Sequence, residues 1–463
     1  MFSLDQKITH MKKILLPILA FIFSISAVNA QELWDLKKCI DYAKEHNISL
    51  QLRKLDAEFQ KNNTEQSKYD LLPNLNGSSG YDFNYGRTLS ASNTYENNNS
   101  QSGSVSLSSN VTLFNGFQKR NAIKKNELEL NAALQDVEKA KDDLALNITS
   151  YFLDILFKKE LLDIAQEQVK VTKFQIERTS ALVEAGTLPK GTLMEQKAQA
   201  AREDLAVVNA QNSLDIALLD LAQLLDLESA DQFDIKTPDL PVLNATRSLV
   251  NPESVFTSAL EFRPEMKAAK YRLQSSEKGL AIARGQITPS LSMSGSWGSG
   301  YRKNQPETGF DVGGNPIVIR KEMKLYDQLK LFESKSFGFN LRIPIFNGGT
   351  VNRAISNAKI NIDRSKLNME NTKNILRKEI QQAHANALAA MKKYFSSETA
   401  VSSTEEAFRY TEEKFNLGLV NSVEYNQAKN NLLKAKSNLL QAKYDYIFRT
   451  KIIDFYNGVE ISL

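Results

Sequence analysis

Few side chains in this 463-residue chain could do covalent or metal chemistry, and they are scattered. The three histidines, His10, His46 and His384, lie far apart, and no group of ligand-type residues has the spacing a metal site needs. Cys39 is the one cysteine, which excludes an internal disulfide framework. On an early helix it reads as a small apolar residue rather than a reactive thiol. No nucleophile elbow and no phosphate-cradling loop is present. Gly295–Gly300 is glycine-containing, yet its residues fit the two faces of a strand. The Asn-x-Ser/Thr triplets follow from an asparagine-rich composition. Neither an enzyme nor a cofactor is expected. The formal net charge is +4 with 24% charged residues and no basic stripe, so nucleic acid is not an expected partner.

Regular spacing appears instead in residues that do no chemistry. Leu291, Met293, Trp297 and Tyr301 occupy odd positions, while Ser290, Ser292, Ser294, Ser296 and Gly298 occupy even ones. Side chains on a strand point to opposite faces with period two, so one face is apolar and the other small and polar. Phe337, Phe339, Leu341, Ile343 and Ile345 alternate likewise with Ser336, Gly338, Asn340 and Arg342. Earlier in the chain Tyr81, Phe83 and Tyr85 alternate with Asp82 and Asn84, and Val105, Leu107, Val111 and Leu113 with Ser104, Ser106, Ser108, Asn110 and Thr112. A tilted transmembrane strand needs roughly 9–11 residues, with aromatic girdles at its ends. Tyr81, Tyr85, Phe114, Trp297, Tyr301, Phe337, Phe339 and Phe346 are the expected lipid-facing girdle. An antiparallel sheet packed on a soluble core would also alternate. The long polar loops Thr88–Ser102 and Arg302–Lys335 favour a barrel.

These segments sit in a chain that says nearly the same thing twice. Leu72-Pro73-Asn74-Leu75 returns as Thr288-Pro289-Ser290-Leu291, Leu113-Phe114-Asn115-Gly116 as Ile345-Phe346-Asn347-Gly348, and Gly186 as Gly418. The first repeat is expected over 31–230: helix 34–70, strands 75–86 and 103–114, long helices 117–185 and 190–227. A linker over 231–250 contains Pro238 and Pro241. The second repeat spans 251–463: helix 252–285, strands 289–301 and 336–346, long helices 349–417 and 422–456. No proline or glycine interrupts Phe117–Ala185, which at 1.5 Å per residue is about 100 Å of helix. Such helices bury their apolar stripes side by side, as coiled coils. Asn251-Pro252 provides an N-cap followed by a proline in the first helical position.

Lys12-Lys13, an apolar run from Ile14 to Val28 and Val28-Asn29-Ala30 form the layout of a signal peptide over 1–30, with Met11 as the start and Gln31 as the first mature residue. After Ala30 no stretch approaches the roughly 20 apolar residues of a spanning helix. The exported chain is thus periplasmic or spans a membrane as strands. Four strands cannot close a barrel, and an open edge in lipid leaves backbone groups unsatisfied. Two copies would give eight strands, and three would give twelve with a lumen that suits Ser, Gly and Asn.

The chain resembles the TolC-like outer-membrane efflux factors along essentially its whole mature length. The resemblance is carried by Arg263-Pro264-Glu265-Met266, by Pro73 and Pro289 at the helix-to-strand junctions, by Asn115-Gly116 and Asn347-Gly348-Gly349 at the strand-to-helix junctions, and by Ala428, Leu432, Ala435, Leu439, Ala442, Tyr444, Asp445 and Tyr446 in the last helix. It implies a mainly α fold with a membrane β-barrel portion: a homotrimer of twelve strands and a twelve-helix periplasmic tunnel. It further implies a passive outer-membrane duct serving a periplasmic adaptor protein and an inner-membrane pump, in contact with outer-membrane lipid. In that family acidic side chains six and nine residues after the second tip glycine line the aperture, positions held here by Glu424 and Gln427; Thr192, which replaces an acidic partner, and Glu195 are the implied aperture residues of the first tip. Gly186, Thr187, Gly418, Leu419 and Val420 are the implied adaptor-docking tips. Phe415 and Val420 stand where the family's best-known pattern has a tyrosine and an arginine, so that latch is not expected here. A periplasmic coiled-coil scaffold or adhesin that never enters a membrane, and a stand-alone porin, are the competing readings.

Overall fold

The computed structural model describes residues 33–89, 95–97, 100–230, 233–238, 250–303, 307–320 and 323–463. The expected signal peptide, 1–30, and most of the linker lie outside these residues. Contacts divide the chain into two compact units: one gathers the residues up to Leu52, Ala140–Leu260 and Leu376–Leu463, the other Arg53–Lys139 and Glu261–Ile375. Neither unit is one sequence repeat; each draws on both.

The repeats match helix for helix. Helices α1 (Leu36–His46) and α5 (Pro252–Phe262) both have 11 residues, and α2 (Ile48–Tyr69) and α6 (Pro264–Gly285) both have 22. The long helices α3 (Gln118–Glu184) and α8 (Thr350–Asn416) both have 67, and the returning helices α4 (Lys190–Leu224) and α9 (Ser422–Tyr456) both have 35. Between these elements lie β1 (Asn76–Asn84), β2 (Arg87–Leu89), β3 (Tyr95–Asn97) and β4 (Ser100–Phe114) in the first repeat. The second has β5 (Ser290–Arg302), β6 (Glu307–Phe310), β7 (Pro316–Arg320), helix α7 (Leu325–Leu331) and β8 (Ser334–Arg342).

Several boundaries differ from the sequence expectation, each for a local reason. The helix expected over 34–70 breaks at Asn47, whose side chain accepts from Leu50 N at 3.0 Å and donates to Leu224 O at 2.9 Å. The helix expected over 252–285 breaks at Arg263, held extended at ψ 131° because a residue before proline is disfavoured in the helical region. Strand β8 ends at Arg342 rather than at 346, since Pro344 has no N–H to donate. The loops are not featureless: β2–β3 and β6–β7 form small hairpins, and α7 packs beside β5. Asn251 caps α5 as expected, accepting from Glu253 N at 2.9 Å. Within the linker, Ile235 is buried and bridges Trp34.

In the unit built from Arg53–Lys139 and Glu261–Ile375, four strands form one antiparallel sheet of order β1-β4-β5-β8. The central pair, β4 with β5, joins the two repeats. Nearby the backbones of the repeats nearly touch: a Cβ at Gly116, whose φ is +65°, would lie 2.4 Å from Gly285 O. In the other unit the core is a run of Leu, Ile, Ala and Phe along the helices, including Ile148, Phe152, Ile155, Leu221, Tyr446 and Ile447. Cys39 is fully buried there, and burial, helped by the charge of Asp35, pushes its thiol up to about 12. It is inert packing.

Candidate functional site

The register of the sheet sorts its residues into two faces. Residues directly opposite on neighbouring strands share a face. One continuous set runs Ser78–Ser106–Gly298–Ser334 and, a step away, Ser108–Ser296–Ser336 with Asn76. With Asp82, Ser102, Ser104, Asn110, Thr112, Ser292, Ser294, Gly338 and Asn340 it is almost wholly Ser, Gly and Asn. Its hydroxyls bond across strands, Ser78 with Ser106 and Ser296 with Ser336, both at 2.8 Å.

The other face carries Tyr81, Phe83, Val105, Leu107, Val111, Leu291, Met293, Trp297, Tyr301, Phe337, Phe339 and Leu341. Tyr81 stacks on Tyr301 with centroids 6.4 Å apart, and Phe337 meets Phe339 edge-on at 5.4 Å. Trp297 donates from its ring nitrogen to Glu333 at 2.8 Å. A bulge between Thr112 and Phe114 shifts the phase, so Phe114, not Leu113, stands opposite Leu291. Tyr85 and Phe346 lie beyond their strands, 75% and 90% exposed. Phe337 and Phe339 are 68% and 64% exposed: among the described residues only α7, near the loop end, packs on this face. Among the described residues no helix is long and apolar enough to cross a membrane.

The second region is the turn between each long helix and its return. Gly186 and Gly418 adopt φ of +72° and +73°, a left-handed conformation glycine takes at no steric penalty. Each closes its helix the same way: Thr187 N donates to Leu182 O and Leu419 N to Lys414 O, both at 2.9 Å. The turns expose Leu417, Leu419 and Val423. Glu424 begins α9 as its third residue, with its N–H donating to Asn421 Oδ1 at 2.9 Å, so its charge complements the helix dipole. Glu424 and Gln427 are exposed. Thr192 is half-buried, and Glu195 accepts the Ser422 hydroxyl, tying the two turns together.

Sequence reasoning missed what lies behind these turns. Phe415 stacks on Tyr425 with centroids 4.6 Å apart, and Arg178 donates to Asn416 at 2.7 Å. Deeper, Lys429 forms a 3.1 Å ion pair with Glu203, with side-chain exposures of 6% and 7%, and both bond Thr172. Burial lowers the Lys429 pKa while Glu203 opposes the shift. Tyr425 is pushed up to about 12 by burial first and by Glu412 second. The available signal was a charge set inside an apolar period: Glu203 follows Leu193, Gln196 and Ala200, and Lys429 follows Tyr425.

The model of the outer membrane efflux protein family matches residues 39–226 and 255–449, each match falling within one repeat. The chain belongs to this family. The outer membrane efflux protein BepC of Brucella suis is 21% identical over 414 residues, covering 88% of this chain and 81% of BepC. The outer membrane protein TolC of Salmonella enteritidis is 24% identical over 410 residues, covering 87% and 77%. In fold, the solved outer membrane channel CmeC of Campylobacter jejuni aligns with a TM-score of 0.74 over 92% of this chain and 87% of that one, at 20% identity. As an outer membrane efflux protein the chain resides in the outer membrane, has a periplasmic helical part and works by conduction, not catalysis. The periplasmic scaffold and adhesin readings fall with that assignment. Among the described residues no cluster of His, Cys, Asp or Glu could hold a metal.

Proposed function

We propose that three copies of this chain close a twelve-stranded barrel whose Ser/Gly/Asn face lines the lumen and whose aromatic face meets lipid. The observation that carries this reading is the register: the four strands gather their large apolar residues on one side and their Ser, Gly and Asn on the other, and among the described residues α7 alone packs on the apolar side. Strands β1 and β8 are the free edges, and an edge in lipid must be paired. The β4–β5 seam supplies the pattern by which β8 pairs with β1 of the next copy. Tyr81, Tyr85, Phe114, Trp297, Tyr301 and Phe346 then form the girdle, and Phe337 and Phe339 face lipid along the strand between its ends.

The turns at Gly186-Thr187 and Gly418-Leu419-Val420 are the docking tips for a periplasmic adaptor, with exposed Leu417 and Leu419 as apolar anchors. An inner-membrane pump supplies the energy. Glu424 and Gln427, with Thr192 and Glu195 at the matching positions after Gly186, line the aperture. Three Glu424 carboxylates would draw cations and repel anions by field focusing. The test is conductance in planar bilayers: Glu424→Ala should weaken block of the open pore by multivalent cations. Block of unchanged strength rejects the ring.

A further inference from the structure

The second repeat carries one helix the first lacks. Its offset from the first is 216 residues from Leu36 to Pro252 and 232 from Gln118 to Thr350, so its outer loop is 16 residues longer. That insertion accommodates α7. Gln328, fully buried, fixes α7 to the sheet: its side chain accepts from Arg302 N and donates to Met323 O, both at 2.9 Å. Ser299, a residue of the apolar face, donates to Leu329 O at 2.5 Å. The helix therefore lies against the aromatic side of the sheet, at the loop end of the strands.

It does not lie flush. A crevice of ≈ 730 Å³ separates the sheet residues Tyr81, Val105 and Tyr301 from Lys324, Leu325 and Leu329. That size is within the roughly 300–1,000 Å³ of ligand sites. Its walls are small or apolar, because Ser79 and Gly103 leave a notch in the aromatic face beside the two tyrosines. Among the described residues that line it, the one cation is Lys324, which is exposed and has no carboxylate partner among them, whereas Lys335 is paired with Glu333 at 2.9 Å. Tyr326 and Leu331 on the same helix are 75% and 62% exposed, as suits a helix at a membrane interface.

We propose that this crevice holds an acyl chain of an anionic, phosphate-bearing lipid of the outer leaflet, with its headgroup at Lys324. The inference rests on the proposed lipid contact of the aromatic face and is continuous with it. All four strands join their helices at the other end, so the α7 end faces outward. The apolar walls take the chain, the notch sets its place, and the lone lysine selects the charge.

The test uses the full chain reconstituted in nanodiscs with phosphatidylglycerol or phosphatidylcholine bearing a photoreactive diazirine on the acyl chain. Labelled peptides are mapped by mass spectrometry. Peptides containing Val105 or Leu329 should label above the peptide containing Phe337 and Phe339, with the anionic lipid favoured about fivefold, the attraction of one lysine to an anionic headgroup. Lys324→Gln and Lys324→Glu should remove that preference. Val105→Trp should fill the crevice and remove its labelling while Phe337 and Phe339 stay labelled. Crevice labelling no stronger than at Phe337, or equal for both headgroups in the unaltered chain, overturns the inference alone. Absence of label from the whole aromatic face overturns the membrane reading as well.

Discussion

Phe337 and Gly338 are neighbours in β8 whose side chains lie on opposite faces, which makes them a controlled comparison. Phe337 pairs with Gly295 and Gly338 with Ser294, near the middle of the length of β8. Phe337→Lys would set an ammonium on the lipid side, at about 2–4 kcal/mol near the bilayer midplane. It would also forfeit about 1.5–3 kcal/mol of apolar transfer with the phenyl ring. Even the lower ends together shift the folding equilibrium by more than about a hundredfold per chain, at about 1.4 kcal/mol per decade. Gly338→Lys puts the same charge one residue along, where a new Cβ meets nothing within 4 Å and the side chain reaches the polar lumen. Its effect should stay within about 0.5 kcal/mol, as for a surface substitution. Urea-dependent folding into lipid vesicles, followed by the fluorescence of Trp34 and Trp297, measures both. Equal midpoints for the two variants, or greater damage from Gly338→Lys, would refute the assignment of the faces.

Three more outcomes are expected. Lys429→Met should destabilise the helical unit by about 3–5 kcal/mol by stranding Glu203, and Lys429→Met with Glu203→Leu should recover most of it, read from thermal melts of helical circular dichroism. Burial first and Glu412 second push the Tyr425 phenol up from its ordinary 10.0 to about 12, so its contribution to stability is complete below pH 10 and is lost as pH rises from there through 12. The melting temperature should fall over that window, and less steeply in Tyr425→Phe. Gly116→Ala should prevent the chain from folding, because its Cβ would lie 2.4 Å from Gly285 O, whereas Gly348→Ala, with φ +61° and nothing within 4 Å in its own chain, should spare the monomer beyond about 1–2 kcal/mol of backbone strain and reduce the yield of trimer.

The strands and the tip turns were legible because their physics is local. Through Leu291–Tyr301 the large apolar residues all fall on odd positions and every even position is Ser or Gly, and a glycine after an unbroken helical run marks a left-handed cap. Duplication strengthened both signals, since Gly186 and Gly418 recur in matching surroundings. What stayed hidden depends on partners distant in sequence or on elements too short for periodicity. Lys429, Glu203 and Thr172 come from three helices, so their burial together appears only when those helices pack. Helix α7 spans just two turns inside a polar loop, and what places it is a single glutamine, Gln328. The bulge beside Leu113 could not be read from alternation, because it is a departure from alternation. Asn47 ended a helix whose composition gave no reason to stop, through a side-chain bond to Leu224 O, far along the chain.

The β4–β5 seam has a consequence for how a ring of this kind comes together. Half of its lateral joints are made during folding, inside each polypeptide, and need no encounter in solution. Every free body that joins a complex forfeits about 4–15 kcal/mol of translational and rotational freedom. A ring of six separate halves would bear that loss five times, and three fused chains bear it twice. Fusion also frees the halves to diverge, so in the proposed trimer α7 would decorate alternate repeats only and give the outward rim threefold rather than sixfold symmetry.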